Sequence, residues 1–380
     1  MSQYCMARGV VLFILVALAA LTASAALVVP TGGPMPKNLD GYNFDRFLRE
    51  FGKVYDANEY VRRRTVFERT LAKVRAHNAA GGHLYVMGIN HMSDWTPEEF
   101  ASLNGAKPRM MRHLANKSFQ RSYEATAGPL PTAVDYRNSV PAVLTAVKDQ
   151  GLCGSCWAHA AVEEMETHYA MSTGRLHVMS QQLLTSCAPN PDECGGTGGC
   201  QGSTADLAYE YARTGITSEW ERPYTSYRGE TAQCGNVSGA RIASVKYYVK
   251  VPSNAQDAVM RHLVTYGPLS VNVDATDWSS YAWGIFHGCD YGSGITINHV
   301  VQLVGYGHDN VLNASYWILR NSWSPGWGEN GYIRLLRTNT PECGWDVNMQ
   351  DGTACKGDPS VAWACGECGV LFDASFPAMV

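Results

Sequence analysis

Eleven of the chain's twelve cysteines fall between Cys153 and Cys368, while Met6 to Leu152 contains none. The 380 residues therefore divide into a cysteine-free first part and a cysteine-rich second part. The twelfth, Cys5, lies in an amino-terminal stretch with Arg8, an apolar run from Gly9 to Leu21 and the small residues Ala23, Ser24 and Ala25. That is the pattern of a secretory signal peptide over residues 1–25, and the run falls short of the roughly 20 apolar residues of a membrane span. Secretory entry favours disulfides. Once Cys5 leaves with the signal peptide the cysteine count is odd, so full pairing within the chain leaves one candidate reactive thiol.

Charge changes sign at the same divide. Residues 26–129 hold 15 Lys+Arg against 10 Asp+Glu, and residues 130–380 hold 14 against 24. A basic segment before an acidic body suggests that one docks on the other. No Lys/Arg cluster is interleaved with aromatics, which argues against nucleic acid as a partner. No later stretch is apolar enough to span a membrane, so a soluble mature protein is expected.

The spacing predicts helix over Asp40–Asn78, where Phe44, Phe47, Leu48 and Phe51 form one apolar stripe. "GGHLYVMGIN" reads as a short strand after a glycine turn. Ser93 or Asp94 with "TPEEF" reads as a capped helix start, with Pro97 in its first turn. Gly105–Pro131 reads as a linker. Cys156 to Thr173 is a helical run ended by Gly174, Ser180–Cys187 a shorter helix, and Gly195–Gly202 a glycine-rich turn. From Ile242 on, β-branched and aromatic alternation dominates. A helical half and a β half with a cleft between them is the expected α+β architecture.

"QGLCGSCWAHA" at 150–160 holds a Cys-x-x-Cys. Alone it admits a redox pair, half a zinc site, or a disulfide cysteine beside a nucleophile. Nucleophilic catalysis needs a thiolate, a base, an orienter for the base and donors for the oxyanion. Cys156 opens a helix, whose positive end lowers a thiol pKa. His299 in "INHVV" is the best base, Asn321 in "RNSW" a candidate orienter, and Gln150 a candidate oxyanion donor with the Cys156 N–H. His159, three residues past Cys156, reads as a packed histidine, and His287 and His308 as loop residues.

"QGLCGSCWA", "NHVVQLVGYG" and "ILRNSWSPGWGENGYIRL", in that order, resemble the papain-family cysteine proteases, close to the cathepsin L branch. The first part is similar to the helical propeptide of that branch at Glu59, Arg63, Phe67, Thr70, Val74 and Asn78, with Thr70 replacing Asn. It is similar again at Gly88, Asn90, Met92 and Asp94, with Met92 replacing Phe. The resemblance implies a papain-like two-subdomain fold, a helical left part and an antiparallel β-barrel-like right part, behind an α-helical propeptide. It implies an inhibitory propeptide over 26–129, helical over about 40–105, and a peptidase domain over 130–380, with processing near Gly128–Leu130 because "LPTAVDYR" resembles a mature amino terminus. Disulfides Cys153–Cys200, Cys187–Cys234 and Cys289–Cys368 follow by the same resemblance. So does the catalytic set Gln150, Cys156, His299 and Asn321, with Trp323 shielding the His299–Asn321 bond and Cys156 and His299 as an ion pair. Substrate contacts fall to Gly154, Gly202, Ser203, Thr204, Asn272, Asn298 and Asp373, with no metal and no cofactor. Partners are peptide and protein substrates, the chain's own propeptide and cystatin-type inhibitors, and the enzyme is a monomer.

The chain departs from the family in places. The glycine turn ends Gly-Cys-Gln-Gly-Ser rather than Gly-Cys-Asn-Gly-Gly, and "APNPDECGGTGG" lengthens the loop before it. An insertion between Leu336 and Cys368 brings Cys343, Cys355 and Cys365, which with Cys194 make two further disulfides of open connectivity. Asp373 falls at the floor of the pocket for the P2 side chain, with Asn272 and Thr204 on its walls, where a buried carboxylate favours basic P2 residues. Asn116, Asn236 and Asn313 sit in glycosylation sequons. The expected function is a cysteine endopeptidase zymogen of the secretory pathway, lysosomal, vacuolar or extracellular. Acid, at about pH 4–5, would protonate carboxylates of the body and Asp94 and so weaken docking. The rivals are a catalytically silent, disulfide-rich binding protein of the same fold, and a secreted inhibitor.

Overall fold

The apolar stripe folds as helix α1 (Phe44–Phe51), which ends at Gly52 in the left-handed region (φ 62°). The expected single helix is thus two, because the chain reverses there and Asp56 caps α2 (Ala57–Ala80) through the N–H groups of Asn58 and Glu59. The computed structural model describes residues 38–104, 120–124, 126–236, 239–349 and 354–380. The signal-like stretch, Asn116 and most of the linker lie outside them. Phe44, Phe47, Phe67 and Leu71 form a small core of their own between α1 and α2.

Strand β1 (Tyr85–Met87) and helix α3 (Pro97–Leu103) follow. The cap of α3 is Thr96, in a reciprocal capping box with Glu99, and not Ser93 or Asp94. Asp94 is fully buried, taking Lys53 at 2.5 Å and the Tyr55 hydroxyl at 2.7 Å. Arg63 pairs with Glu59 on its own helix and bridges α2 to α3 through Glu99. Lys53, Arg62, Arg63 and Arg64 of the basic segment thus pair with carboxylates of the segment itself. Among the described residues the ion pair that crosses to the body is Lys73–Asp277, at 3.4 Å and exposed on both sides.

The body's helical half is α4 (Cys156–Thr173), α5 (Gln181–Cys187) and α6 (Ala205–Tyr211) around one core. Its β half joins β3 (Val134–Asp135), β4 (Val245–Val251), β5 (Leu269–Val273), β6 (Tyr281–Phe286), β7 (His299–Asp309), β8 (Ala314–Arg320), β9 (Tyr332–Arg337) and β12 (Ala374–Met379), with α7 (Gln256–Thr265) packed on the sheet. The strand order is β1-β6-β9-β8-β7-β5-β12-β4-β2, with β2 at Gln120–Arg121 and β3 on β7. Pairing is antiparallel except at β6–β9 and β2–β4, which are parallel, so the sheet is mixed where an antiparallel one was expected. The amino-terminal segment supplies both end strands, and strand addition to open edges is a strong docking mode.

Residues of the 337–367 insertion form a two-stranded hairpin, β10 (Cys343–Asp346) with β11 (Ala362–Cys365), closed by Cys343–Cys365. Cys194–Cys355 ties it to the lengthened loop. Among the sequons, Asn236 and Asn313 are exposed. His308 lies in β7 rather than in a loop.

The separate core between α1 and α2 makes a local prediction. Phe67→Ala removes a fully buried ring and should cost about 3–4 kcal/mol in that unit. Hydrogen exchange should show α1 and α2 amides losing protection while β7 and β8 keep theirs.

Candidate active site

Cys156 is the first residue of α4, and Ser155 holds the N-cap position without making a side-chain cap bond. The Ser155 hydroxyl joins a buried chain instead. His159 Nδ1 donates to the Ser155 carbonyl at 2.9 Å, Ser155 Oγ lies 2.7 Å from Tyr224 Oη, and Tyr224 donates to the Gln150 carbonyl at 2.9 Å. The helix end thus lacks a side-chain cap and turns its first N–H groups toward the thiol, the arrangement that favours a thiolate. Backbone N–H groups of Val300 and Trp157 hydrogen-bond the sulfur. Val300 follows His299, so the sulfur rests on the strand that carries the histidine.

His299 opens β7, and its Nε2 lies 2.8 Å from Asn321 Oδ1. The same oxygen accepts the Ser322 N–H at 2.8 Å, which fixes the amide's orientation. Nε2 therefore carries the hydrogen, and Nδ1 remains as a basic nitrogen with no hydrogen-bond partner. Trp323 lies against the ring, centroids 4.8 Å apart, and Trp278 meets it edge-on at 6.2 Å. Both indoles are buried against the ring, and His299 and Asn321 are themselves buried.

Gln150 is fully buried. Its Oε1 accepts the Ser322 hydroxyl at 2.6 Å, and its Nε2 donates to Cys153 O at 2.9 Å and to Leu103 O at 2.8 Å. One N–H of this amide is thus taken by a carbonyl of the amino-terminal segment. Phe100, one turn earlier on α3, packs edge-on against Trp323 at 5.2 Å. Gly151 permits the loop: its φ is 59°, and a Cβ there would lie 2.4 Å from the Tyr227 carbonyl oxygen.

Under this cover burial sets the charges. It pushes the Cys156 thiol up to about 11 and His299 down to about 4, the latter against the opposing pull of Asn321. Burial thus disfavours the charged form of each group in the covered site.

The other candidates divide. Gly154 donates its N–H to Cys200 O at 3.0 Å, and Gly202 and Ser203 follow in the same turn, with Ser203 Oγ buried and unpartnered. Thr204 caps α6. Asn298 is held by Ala275 N–H and Thr276 Oγ1. Asp373 is not an unpaired carboxylate: Lys250 holds it at 2.8 Å, Asn272 donates to it at 3.1 Å, and Lys250 also holds Asp206 at 2.7 Å. The structure bonds Cys153 to Cys200, Cys187 to Cys234 and Cys289 to Cys368, and among the described residues the free cysteine is Cys156. Neither half of the Cys-x-x-Cys can therefore pair with the other, and Cys365 and Cys368 are equally committed. Sequence reasoning passed over Ser322, Tyr224 and Lys250. Ser322 stood inside "RNSW" and was legible there; the other two carried no local signal.

Residues 130–352 match the papain family cysteine protease profile, and residues 44–100 match the cathepsin propeptide inhibitor domain. Cathepsin S of Bos taurus is 32% identical over 311 residues, covering 80% of this chain and 89% of that one. Cysteine proteinase 1 of Zea mays is 32% identical over 372 residues, covering 90% and 96%. Among solved structures, digestive procathepsin L 3 from the larval midgut of Tenebrio molitor superposes with a TM-score of 0.71 at 30% identity, over 90% of this chain and all of that one. With the thiol, imidazole and two amides gathered as described, the chain belongs to the papain family of cysteine proteases and carries the cathepsin-type propeptide inhibitor domain at its amino-terminal side.

Proposed function

We propose that this zymogen cleaves peptide bonds through a Cys156 thioester once residues 26–129 are removed. The observation that carries the reading is the His299–Asn321 bond beside a thiol at a helix N-terminus, with the Gln150 amide turned toward the same place. With the segment gone, the Cys156 proton rests on His299 Nδ1, and the thiolate of this ion pair attacks the substrate carbonyl carbon. The Gln150 amide and the Cys156 N–H hold the oxyanion. His299 then protonates the leaving amine, and water, deprotonated by the same nitrogen, hydrolyses the thioester. Leu103 O on Gln150 and Phe100 on Trp323 support residues 26–129 as the inhibitor, with processing near Gly128–Leu130. A silent binding protein of this fold gains no support from a site with all its groups in register. Five disulfides support the secretory pathway as compartment; a lysosomal, vacuolar or extracellular destination, cystatin-type inhibitors and a monomer complete the reading.

Acid acts within the segment rather than through Asp94 on the body, since Asp94 faces Lys53 and Tyr55. Burial alone would raise Glu99, but the Arg63 guanidinium holds its carboxyl below the usual range. A depressed carboxylate stabilises the fold above its unfolded pKa and loses that contribution as pH falls through the folded one, here below the ordinary glutamate range.

Two measurements test this. Purified full-length chain at acidic pH with reductant should convert to a form beginning near Leu130 and gain peptidase activity, and Cys156→Ala should do neither. Gln150→Ala should lower kcat about 100-fold with little change in KM; an unchanged kcat would remove Gln150 from the oxyanion site. For the P2 pocket, Lys250→Met frees two carboxylates and should raise the ratio of Arg-P2 to Phe-P2 cleavage about fivefold, roughly 1 kcal/mol. Asp373→Ala should lower it. A constant ratio in both would separate Asp373 from P2 selection.

A further inference from the structure

Three histidines meet where the amino-terminal segment joins the body. His77 lies in the last turn of α2, His83 in the turn that follows, and His287 just after β6. The His77 and His83 rings stack with centroids 4.0 Å apart, and those of His83 and His287 lie 6.0 Å apart. Tyr85 of β1 sits among them, 4.5 Å from His77, 5.9 Å from His83 and 5.5 Å from His287. The cluster flanks the β1–β6 pairing that docks the segment on the sheet.

Hydrogen bonds fix which nitrogens are free. The Leu84 N–H donates to His287 Nε2 across the seam at 3.1 Å, so that nitrogen must be unprotonated. His77 Nε2 lies 3.2 Å from the Tyr85 carbonyl oxygen, so it carries a hydrogen and Nδ1 is left to take a second proton. Lys73, one turn before His77 on α2, adds positive charge. The acids that face the cluster are Asp277 and Glu367. Asp277 is taken by Lys73. Burial pushes the Glu367 carboxyl up to about 7, so it loses charge over the range where imidazoles gain theirs.

We infer that the cluster of His77, His83 and His287 is the acid sensor of the zymogen: protonation of His77 and His287 sets like charges on the two sides of the seam, breaks the Leu84–His287 bond and opens the β1–β6 pairing. His77 and His287 are both held below the ordinary histidine value, by burial first and then by the neighbouring imidazoles. The undocked segment therefore binds more protons than the docked one. Docking is strongest above about pH 6.5 and weakens as pH falls below it. This trigger acts at higher pH than the Arg63–Glu99 pair. It rests on the zymogen reading above, and its test needs no catalysis.

The experiment is hydrogen exchange on the full-length Cys156→Ala chain across pH, corrected for intrinsic rates. It reads the Gly88 and Ile285 amides, which bond across the seam to Ser280 O and Leu84 O. Their protection should fall between about pH 6 and 5. In the combined His77→Gln, His83→Gln and His287→Gln chain the loss should move down by about one pH unit or more, toward the carboxylate range. Protection at pH 7.5 shows that this variant docks; should it not dock, the exposed His83→Gln alone carries the comparison with a smaller shift in the same direction. His287→Lys should open the seam already at pH 7.5. An unchanged midpoint in the glutamine variants, or a protected seam in His287→Lys, overturns the sensor and leaves the protease assignment standing. A chain that loses protection on schedule but never cleaves peptides keeps the sensor and overturns the catalytic reading.

Discussion

The reacting groups come from two bodies, and a buried contact between Arg320 and Glu163, whose carboxyl burial pushes up to about 7, joins one body to the other together with the hydrogen bonds around it. Arg320, the last residue of β8, is fully buried with its Nε 3.4 Å from Glu163 Oε1 on α4. Gln302 of β7 donates to the Glu163 carbonyl at 3.2 Å and to Thr167 Oγ1 at 3.0 Å, and Arg320 donates to Thr145 O at 2.9 Å. Asn321 follows Arg320, and Cys156 lies seven residues before Glu163 on the same helix. The contact therefore joins the helix that carries the thiol to the strand that precedes Asn321, without touching the reacting groups. A buried pair of this kind is weak evidence for net stability, but losing one partner strands the other's charge at about 3–5 kcal/mol.

On this frame the amino-terminal segment works in two ways. Leu103 O takes one N–H of the Gln150 amide, and Phe100 packs against Trp323. Burial at the covered site disfavours charge on both the thiol and the imidazole, and Nδ1 of His299 has no hydrogen-bond partner there. The segment pays for its hold at the edges of the sheet, through β1 and β2, and not through the opposite net charges of the two parts. Such edges release when a few hydrogen bonds fail, which suits a cover meant to leave.

How much of this was legible follows from the range of each interaction. Helix α4, its stop at Gly174 and the cap of α5 were readable because caps and breakers act over a few residues. The catalytic set was readable only because three separated motifs agreed with a known family; spacing alone brings no histidine 143 residues away to Cys156. The break at Gly52 was hidden inside a run rich in helix formers. Lys250 on Asp373, Arg320 on Glu163 and the histidines on the seam join residues far apart in the chain, and no periodicity announces them. Asp94 is the clearest lesson. Its conspicuous charge suggested an outward role, while the fold turns it inward to Lys53 and Tyr55.

The central claim is that the segment holds the Cys156–His299 pair uncharged, and the rate of thiol alkylation against pH reads that state directly. Iodoacetamide would be applied to the intact chain at pH values where it stays docked, and to the processed enzyme across the same range. The account predicts slow alkylation of the intact chain, rising only toward the alkaline range of a buried thiol. The processed enzyme should react at least about tenfold faster from weakly acidic pH upward, as a thiolate paired with an imidazolium does. Equal rates and equal profiles in the two forms would contradict it, for the thiol would then carry the same charge with the segment on as with it gone.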